Sequence, residues 1–376
     1  MRKVYLDNAA TTPLDPTVIK AMTTVMEEVY GNPSSTHQFG RKAKVVVEEA
    51  RKFIAKQFNV TAGEVFFTSG GSEADNLILR NAVVNLGVKR IITSNIEHHA
   101  VLHTVESLQK EFDLEVEYVT VTNGEVDLKV LEDLLSNNSE KTLVSLMHIN
   151  NELGTLLPIE KVAELCKKNN VLFHSDTVQT IGHFTLDLQQ VPVDFITASA
   201  HKFHGPKGIG FAIIRKSYPI QPMIIGGEQE RGTRAGTENV HNITGLHKAL
   251  EIAYNNLEED KAHITGLKNY FIEELRKLSP NIQFNGFSDD LEKSSYIILN
   301  VRFPKAVPML LFNLDLKGIA ASGGSACQSG SNKGSHVLNA ILSEEEAKKT
   351  SVRFSFSKFI TKEDVDYTLE VIKGLV

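Results

Sequence analysis

Residues 64–85 read EVFFTSGGSEADNLILRNAVVN, and the periodicity of the chain changes at the glycine-rich turn in the middle of this stretch. Residues 64–68 form a short apolar run typical of a buried strand, whereas residues 73–85 place apolar side chains at helical spacing. Ser72 is a predicted helix N-cap, with Asp75 at the capping-box position. The stretch therefore predicts a strand that leads through a tight turn into a helix.

The same alternation of strand and helix continues on both sides of this turn, from about residue 41 to 215. Further strands are predicted at 90–94, 114–121, 143–148, 171–174, 195–198 and 209–214. Strands that alternate with helices over this length favour an α/β fold, in which a mostly parallel sheet is covered by helices on both faces.

The character of the chain changes after the glycine-rich stretch 226–236. Residues 240–278 are predicted to form one long helical region rich in Leu, Ala, Glu and Lys. Short strands at 296–301 and 352–355 and helices at 307–314 and 362–373 are predicted to follow, which favours a smaller α+β domain. We predict a large domain over residues 15–255 and a small domain built from residues 1–14 and 256–376.

The composition excludes several classes of protein. The 376 residues carry 40 Lys and Arg against 46 Asp and Glu, and this net charge of −6 argues against a general nucleic-acid-binding surface. No apolar run approaches the roughly 18 residues of a membrane-spanning helix, and no signal peptide is recognisable. The two cysteines, Cys166 and Cys327, are too few for a disulfide framework. We therefore expect a soluble cytoplasmic protein with neither a membrane nor a direct nucleic-acid partner.

Three polar features follow predicted strands. In Ser69–Ser72 the glycines expose backbone N–H groups, and the helix N-terminus behind them attracts anions. Asp176 ends one strand, and Lys202 follows another in the run TASAHKFHGPKG at residues 197–208. A lysine withdrawn from water can form a Schiff base. Taken singly, the three features also suit a capped turn, a helix cap and a solvated lysine.

Together, these three features match the requirements of pyridoxal phosphate. The glycine-rich turn would bind the phosphate, the acid would keep the pyridine nitrogen protonated, and the lysine would carry the aldehyde as an imine. In open α/β sheets, ligands bind at the carboxyl ends of strands, where all three features are predicted to lie. We therefore predict a pyridoxal-phosphate enzyme.

Several longer motifs occur in a defined order along the chain. They are Tyr5-Leu6-Asp7-Asn8-Ala9-Ala10-Thr11-Thr12, Gly31-Asn32-Pro33-Ser34-Ser35, Glu97-His98-His99-Ala100, His148-Ile149-Asn150-Asn151-Glu152, Ser199-Ala200-His201-Lys202 and Arg231-Gly232-Thr233-Arg234-Ala235-Gly236-Thr237. This set resembles the cysteine desulfurases, in the class V aminotransferase group of fold-type I pyridoxal-phosphate enzymes. The resemblance implies a seven-stranded sheet, a homodimer and the conversion of L-cysteine to L-alanine, with the sulfur left on the enzyme as a persulfide.

The resemblance also assigns a role to each matching position. Lys202 would carry the cofactor and act as the base at the substrate Cα, and His98 would stack on the ring as a further catalytic group. Asp176 would pair with the pyridine nitrogen, and Gln179 would bond the phenolic oxygen. The other implied positions bind the phosphate or the substrate: Gly71, Ser72, Ser199, His201 and, from the second subunit, Thr237 for the phosphate; Asn151 and Arg353 for the substrate.

Two positions depart from the pattern of this family. Ser72 stands where many relatives have Thr, which preserves a hydroxyl group. Lys358 lies in Phe-Ser-Lys-Phe, where the family usually has Leu-Gly-Arg-Phe, and this change leaves the role of Lys358 open.

Cys327 lies in residues 321–335, ASGGSACQSGSNKGS, whose small polar residues are typical of a mobile, exposed loop. A thiol on such a loop can accept a sulfur atom and then deliver it, whereas Cys166 lies on an apolar helix face and is predicted to be in the core. The long loop resembles the group that serves iron–sulfur cluster assembly and tRNA thiolation. To accept sulfur from the substrate, Cys327 must attack the substrate sulfur as a thiolate. His103 is a candidate for lowering the pKa of Cys327.

Other interpretations of the same residues stay open. A selenocysteine lyase, another class V aminotransferase-like enzyme or a non-catalytic sulfur-relay subunit would share the fold. The sulfur acceptor could be an iron–sulfur scaffold protein, a tRNA-thiolating enzyme or a sulfur carrier. We expect no intrinsic metal site, although Cys327 could transiently ligate a cluster held with a scaffold partner.

Overall fold

A computed structural model describes residues 2–136, 140–216, 218–323 and 334–376. Its α-helices are α1 (Pro16–Glu28), α2 (Gln38–Gln57), α3 (Gly71–Val84), α4 (His99–Glu111), α5 (Leu128–Ser136), α6 (Ile159–Lys168), α7 (Val240–Asn255), α8 (Leu257–Leu278), α9 (Leu310–Leu316), α10 (His336–Ile341), α11 (Glu344–Ala347) and α12 (Lys362–Lys373). Its strands are β1 (Val4–Tyr5), β2 (Val65–Thr68), β3 (Arg90–Thr93), β4 (Glu115–Tyr118), β5 (Val121–Thr122), β6 (Glu125–Val126), β7 (Thr142–Ser145), β8 (Leu172–Asp176), β9 (Phe195–Ser199), β10 (Gly210–Ile214), β11 (Gln283–Phe284), β12 (Ile298–Arg302), β13 (Ile319–Ala320) and β14 (Ser351–Ser355).

The largest sheet has seven strands in the order β2-β10-β9-β8-β7-β3-β4. The pairings from β9 to β4 are parallel, and β10 runs antiparallel to both of its neighbours. Strands such as β2, β7 and β8 are buried along their whole length, as expected for strands covered on both faces. The predicted α/β fold with a mainly parallel seven-stranded sheet is confirmed.

Separate hydrophobic cores lie on the two faces of this sheet. One core contains apolar side chains of α1, α2, α5, α6 and α7, and the other contains those of α3 and α4. A third core belongs to the C-terminal part of the chain, where α8, α9 and α12 pack on strands β12 and β14. Helices therefore cover both faces of the sheet, and the carboxyl ends of its strands remain available for a site.

The first residues of the chain join this third core. Strand β1 pairs in parallel with β13, and β11, β12 and β14 form a separate antiparallel sheet. Val4 and Leu6 are buried among the C-terminal apolar residues. The domain boundaries proposed above at residues 14, 15, 255 and 256 stay a prediction, because they are assigned from pattern.

Residues 240–278 are helical, as predicted, but they form two helices rather than one continuous helix. Helices α7 and α8 are separated at Asn256, whose backbone departs from helical geometry. Asn side chains compete with the backbone for hydrogen bonds, and Glu258, Glu259 and Asp260 then favour a new helix N-terminus. Because the two helices bury their apolar faces in different cores, the break redirects the chain between those cores.

Two shorter elements also differ from expectation. The strand predicted over residues 114–121 ends at Tyr118, and Val121 instead begins the small β5–β6 hairpin. The helix predicted over residues 307–314 is α9, which starts only after Met309 adopts a left-handed backbone conformation with φ of 58°. Among the described residues, none of the helices combines the length and apolar character that membrane crossing requires.

Lys358, whose role the sequence left open, links the C-terminal part to the large sheet assembly. Its Nζ donates to Asp15 Oδ2 at 2.8 Å, and Asp15 Oδ1 accepts from Thr17 N at 2.8 Å as the N-cap of α1. Both charged side chains are largely buried. The ion pair therefore fastens the segment after β14 to the start of α1.

A buried ion pair anchors the glycine-rich stretch that leads to Thr237. Arg51 on α2 donates through Nη1 and Nη2 to Glu230 at 2.7 and 2.8 Å. Glu230 Oε2 also accepts from Phe67 N of β2 at 2.9 Å, and Glu230 has a positive φ of 48°. These bonds tie α2, β2 and the stretch after β10 to one another, with both charged groups nearly inaccessible to water.

We expect Arg51→Met to destabilise the fold by about 3–5 kcal/mol, because removal of one partner leaves the Glu230 carboxylate buried and unpaired. The matched control is Arg80→Met, whose pair with Glu111 is exposed to solvent and should contribute little to stability. Urea unfolding of both variants and the parent gives the comparison. Equal losses in the two variants would contradict the anchoring role.

Candidate active site

One cavity of about 240 Å³ lies at the carboxyl edge of the large sheet. It is lined by Gly71, Ser72, His98, Asn151, Asp176, Gln179, Ser199, His201, Lys202 and Arg353, which are the residues that the sequence singled out for the cofactor and the substrate, apart from Thr237 and Cys327. All of them except Arg353 follow or end a strand of that sheet, and Arg353 enters from β14. The topology therefore brings together side chains that lie far apart in sequence.

Lys202 ends a short 3-10 turn that directly follows β9. Its Nζ donates to the carbonyl oxygens of Ala9 and Ala10 at 2.6 and 2.9 Å. Gly205 permits the turn, because a Cβ there would lie 2.9 Å from the Ala200 side chain and carbonyl. The amine is thus held at the cavity wall by neutral acceptors from the N-terminal segment.

Asp176 is the last residue of β8 and is buried. Its Oδ1 accepts from Val178 N at 2.9 Å. Burial raises the pKa of this carboxyl to about 6, with a further contribution from the nearby Asp75 charge. A carboxyl group in this environment is stabilised as a carboxylate when a cation, such as a protonated pyridine nitrogen, lies beside it.

His98 is the N-cap of α4, where its Nδ1 accepts from Ala100 N at 3.1 Å. Burial is the main cause that lowers the pKa of this imidazole. A neutral ring whose Nδ1 accepts a hydrogen bond carries its proton on Nε2. His98 therefore presents a neutral aromatic ring of defined tautomer to the cavity.

The N-terminus of α3 forms the anion-binding end of the cavity. The first N–H groups of a helix lack intrahelical partners, and α3 begins at Gly71. A Cβ on Gly71 would lie 2.6 Å from Val178 Cγ2, so a larger residue would push the helix out of position. The hydroxyl groups of Ser72 and Ser199 also line this end. The cradle has the donors that a phosphate requires.

The expectation that Ser72 caps α3 is wrong. The N-cap is Gly70, which has no side chain, and Ser69 N instead donates to Glu73 Oε2 at 2.8 Å. Asp75 is correspondingly not a capping-box residue but is fully buried at the cavity wall. Release from capping leaves the Ser72 hydroxyl at the cavity.

His201 and Gln179 contact the N-terminal segment beside Lys202. Nδ1 of His201 lies 3.1 Å from Thr11 Oγ1, and burial lowers the pKa of this imidazole to about 4. Nε2 of Gln179 donates to Ala9 O at 2.9 Å. Both side chains are therefore neutral donors or acceptors, placed beside the lysine.

Arg353 is almost completely buried, with part of its guanidinium already bonded. Nη1 donates to Asn151 O at 2.7 Å, and Nη2 donates to Asp7 Oδ1 at 2.9 Å. Nε is buried and has no hydrogen-bond partner within the described parts of the chain. A buried guanidinium with an unused donor favours an anionic ligand beside it.

Of the two remaining predicted site residues, Thr237 lies elsewhere and Cys327 is not described. Thr237 lines a different depression, with Glu230 and Arg234, and does not reach the cavity of its own chain. Cys327 and most of its predicted loop fall in residues 324–333, outside the described residues. The proposed pairing of Cys327 with His103 is therefore untested, while His103 itself stacks on His99 on α4 with ring centroids 4.6 Å apart.

Sequence reasoning missed the cavity-lining roles of Asp75, Ala9, Ala10, Met147, Ile149 and Val178. For Asp75 a signal was present. Ala74, Leu77 and Ile78 flank it at positions that share the buried face of α3. A carboxyl on the apolar face of a helix is unusual, and it favours a functional over a capping role.

The class V aminotransferase family model matches residues 4–368. The cysteine desulfurase IscS of Dictyoglomus turgidum is 42% identical, covering 100% of this chain and 95% of that protein. Among solved structures, a NifS-like protein superposes with a TM-score of 0.90 at 39% identity, covering 99% of each chain. SspA in complex with cysteine superposes with a TM-score of 0.82 at 30% identity, covering 96% of this chain and 100% of SspA. The protein therefore belongs to the class V aminotransferase family, and within it to the cysteine desulfurases.

Proposed function

We propose that the protein binds pyridoxal phosphate and converts L-cysteine to L-alanine, transferring the sulfur to Cys327 as a persulfide. The observation that carries this proposal is the meeting of Lys202, Asp176 and the α3 N-terminus in one cavity. Lysine, acid and anion cradle are the three groups that pyridoxal phosphate requires, and the family is one of pyridoxal-phosphate enzymes.

The residues of the cavity divide the cofactor between them. The α3 N-terminus, with Gly71, Ser72, Ser199 and His201, would hold the phosphate, and Gln179 would bond the phenolic oxygen. Asp176 would keep the ring nitrogen protonated, and His98 would cover one face of the ring. The bound cofactor supplies an electron sink for the charge that develops at the substrate Cα.

The protein side chains carry the proton and sulfur movements. The Lys202 amine would remove the proton from the substrate Cα and return protons to the product. The Cys327 thiolate would attack the substrate sulfur, so that an S–S bond forms as the Cβ–S bond breaks. The electron pair of the broken bond stays on the carbon skeleton, which leaves as L-alanine after protonation. No external oxidant or reductant is consumed.

Substrate recognition would centre on Arg353 and Asn151. The unused Nε–H of Arg353 would donate to the α-carboxylate, while the bonds to Asp7 and Asn151 hold the guanidinium in place. A relative of similar fold is described in complex with cysteine, which supports this choice of substrate.

We propose a homodimer in which Thr237 of each chain completes the phosphate site of the other. Thr237 lies away from the cavity of its own chain, and the same part of the chain carries Ile225, which is 87% exposed. Tyr30 and Phe39 add a stacked pair of exposed rings. Exposed apolar side chains of this size favour burial against another protein surface.

The persulfide on Cys327 would serve iron–sulfur cluster assembly in the cytoplasm. A scaffold protein is the proposed acceptor, since the relatives that match over the full length are desulfurases of the IscS type. A tRNA-thiolating enzyme or a sulfur carrier would be a further acceptor of the same persulfide. A cluster held with the scaffold could include Cys327 as a transient ligand.

We expect Lys202→Ala to lose the visible absorbance of the lysine-bound cofactor and the production of alanine. The amine is the group that would hold the aldehyde carbon and move the Cα proton. Absorbance spectra, together with phosphate analysis of the bound cofactor, provide the measurement. The control is Lys207→Ala, because Lys207 lies in the same run of residues 197–208 but outside the cavity. An unchanged spectrum in Lys202→Ala would refute the assignment.

We expect Cys327→Ala to bind the cofactor normally but to form neither persulfide nor sulfide from L-cysteine with a reductant present. The matched control is Cys166→Ala, because Cys166 is buried in the core and burial raises the pKa of its thiol far above neutrality. Alanine and sulfide should appear in equal amounts with the control. Turnover that continues without Cys327 would favour the selenocysteine lyase alternative, and L-selenocysteine is the substrate that tests it.

We expect Arg353→Ala to raise KM for L-cysteine at least about tenfold, since a charge-assisted hydrogen bond contributes about 1.5–3 kcal/mol. Arg302→Ala on the neighbouring strand β12, outside the cavity, is the control. Steady-state kinetics are compared with the cofactor spectrum and the unfolding midpoint, so that loss of structure is detected separately. An unaltered KM in a folded variant would contradict carboxylate binding by Arg353.

A further inference from the structure

Three buried polar residues, one at the cavity wall and two behind it, have no part in the chemistry described above. Asp75 lies on α3, His174 on β8 and Ser145 on β7. Ser145 and His174 are paired in the sheet register, and His174 precedes Asp176 by two residues. Because alternate residues of a strand face the same side, His174 and Asp176 point towards α3 together.

These residues form a chain of close polar contacts. Ser145 Oγ lies 2.8 Å from His174 Nδ1, and His174 Nε2 lies 3.4 Å from Asp75 Oδ1. The side chains of His174 and Asp75 are 0% and 2% exposed. Neither His174 Nε2 nor Asp75 Oδ1 has a hydrogen-bond partner within the described residues, and the Thr197 hydroxyl, which also lacks one there, lies beside Asp75.

The same region contains two other buried carboxyls. Asp176 faces Asp75 from β8, and Glu97 faces both from the segment before α4. Glu97 accepts from Ser94 Oγ at 2.7 Å and from Met147 N at 2.9 Å. The remaining polar groups that face Asp75 and Asp176 are His98 of α4 and the Thr197 hydroxyl of β9. Several buried carboxylates would repel one another, and the bound cofactor offers only one ring cation.

Burial therefore favours protonation of the carboxyls other than Asp176. It raises the pKa of Asp75 to about 7 and raises the pKa of Glu97 well above its ordinary value. Burial also lowers the pKa of His174 to about 4, so this imidazole is neutral. A neutral imidazole has one donor and one acceptor nitrogen. Two hydrogen-bonding arrangements of Ser145, His174 and Asp75 are then possible, and they differ in whether Asp75 carries a proton.

We propose that Asp75 is a protonated, neutral acid in the cofactor-bound enzyme, that it donates to His174 Nε2, and that this leaves Asp176 as the one carboxylate that faces the cofactor ring. In this arrangement the proton of His174 is on Nδ1, and this N–H group donates a hydrogen bond to Ser145 Oγ. Asp75 is then a positioning residue, which holds His174 and the β8 edge without adding negative charge. The inference rests on the proposed cofactor.

Asp75→Asn provides the test, because an Asn amide keeps the size and the donor of a protonated acid. The pH midpoint of the visible absorbance band of the bound cofactor is the readout. We expect the midpoint in Asp75→Asn to stay close to that of the parent. If Asp75 were ionised in the parent, Asp75→Asn would remove a second negative charge near the ring and lower the midpoint by about one pH unit or more. That result would overturn the proposal. Asp176→Asn, which removes the ring partner itself, is the positive control for sensitivity.

A second measurement needs no substitution at Asp75. In protein labelled with ¹⁵N-histidine, the nitrogen shifts report which nitrogen of His174 carries the proton, and His174→Gln identifies the signal. A proton on Nδ1 is expected, and a proton on Nε2 would overturn the proposal, because an ionised Asp75 must accept from Nε2–H. Absence of a cofactor band in the parent protein would refute the proposed function instead, so the two failures are distinguishable.

Discussion

The site depends on the hydrogen bonds that residues 7–12 make to both halves of the molecule. Asp7 accepts from Arg353 of β14, while the Ala9 carbonyl accepts from Lys202 beside the large sheet. A single short segment, which turns at residues 8–10, therefore sets the position of the guanidinium relative to the amine. Each of these bonds is at least partly shielded from water, so the loss of one would weaken the positioning of the side chains at the cavity wall. The hydrogen bonds of this segment thus align β14 of the C-terminal part with the edge of the large sheet.

Burial at the carboxyl edge of the sheet then determines which groups are charged. The parallel strands carry Asp176 and Lys202 to the same edge, and helices α3 and α4 begin at this edge, where Gly71 and His98 line the cavity. Desolvation makes His98 and His201 neutral and raises the pKa of Asp176. The cavity therefore provides neutral hydrogen-bonding groups around a small number of charges, which suits a ligand that brings an anionic phosphate and a cationic ring.

Elements with a strong local signal were predictable. The alternation of buried strands and amphipathic helices predicted the large sheet, and the polar residues after its strands predicted the cavity. The break at Asn256 was not predicted, since no Pro or Gly marks it and the Asn and the acidic residues after it give only a weak local signal. Packing separates α7 from α8 because their apolar faces enter different cores. The misassigned Asp75 has the same cause: capping spacing is local, whereas burial at the cavity wall depends on how α3 packs on the sheet.

The sequence by itself determined the residue types, their order along the chain and the elements that carry them, and it therefore determined the chemistry available to the protein. Only the tertiary structure decided which of these groups meet. Asp7 and Arg353 lie 346 positions apart and form one ion pair, while Thr237 lies outside the cavity of its own chain. The tertiary structure also decided the surroundings that shift the pKa values of Asp75, His174 and the other buried groups. The physical reason is that hydration and electrostatic surroundings are set by packing between distant segments, which the local periodicity of a sequence does not encode.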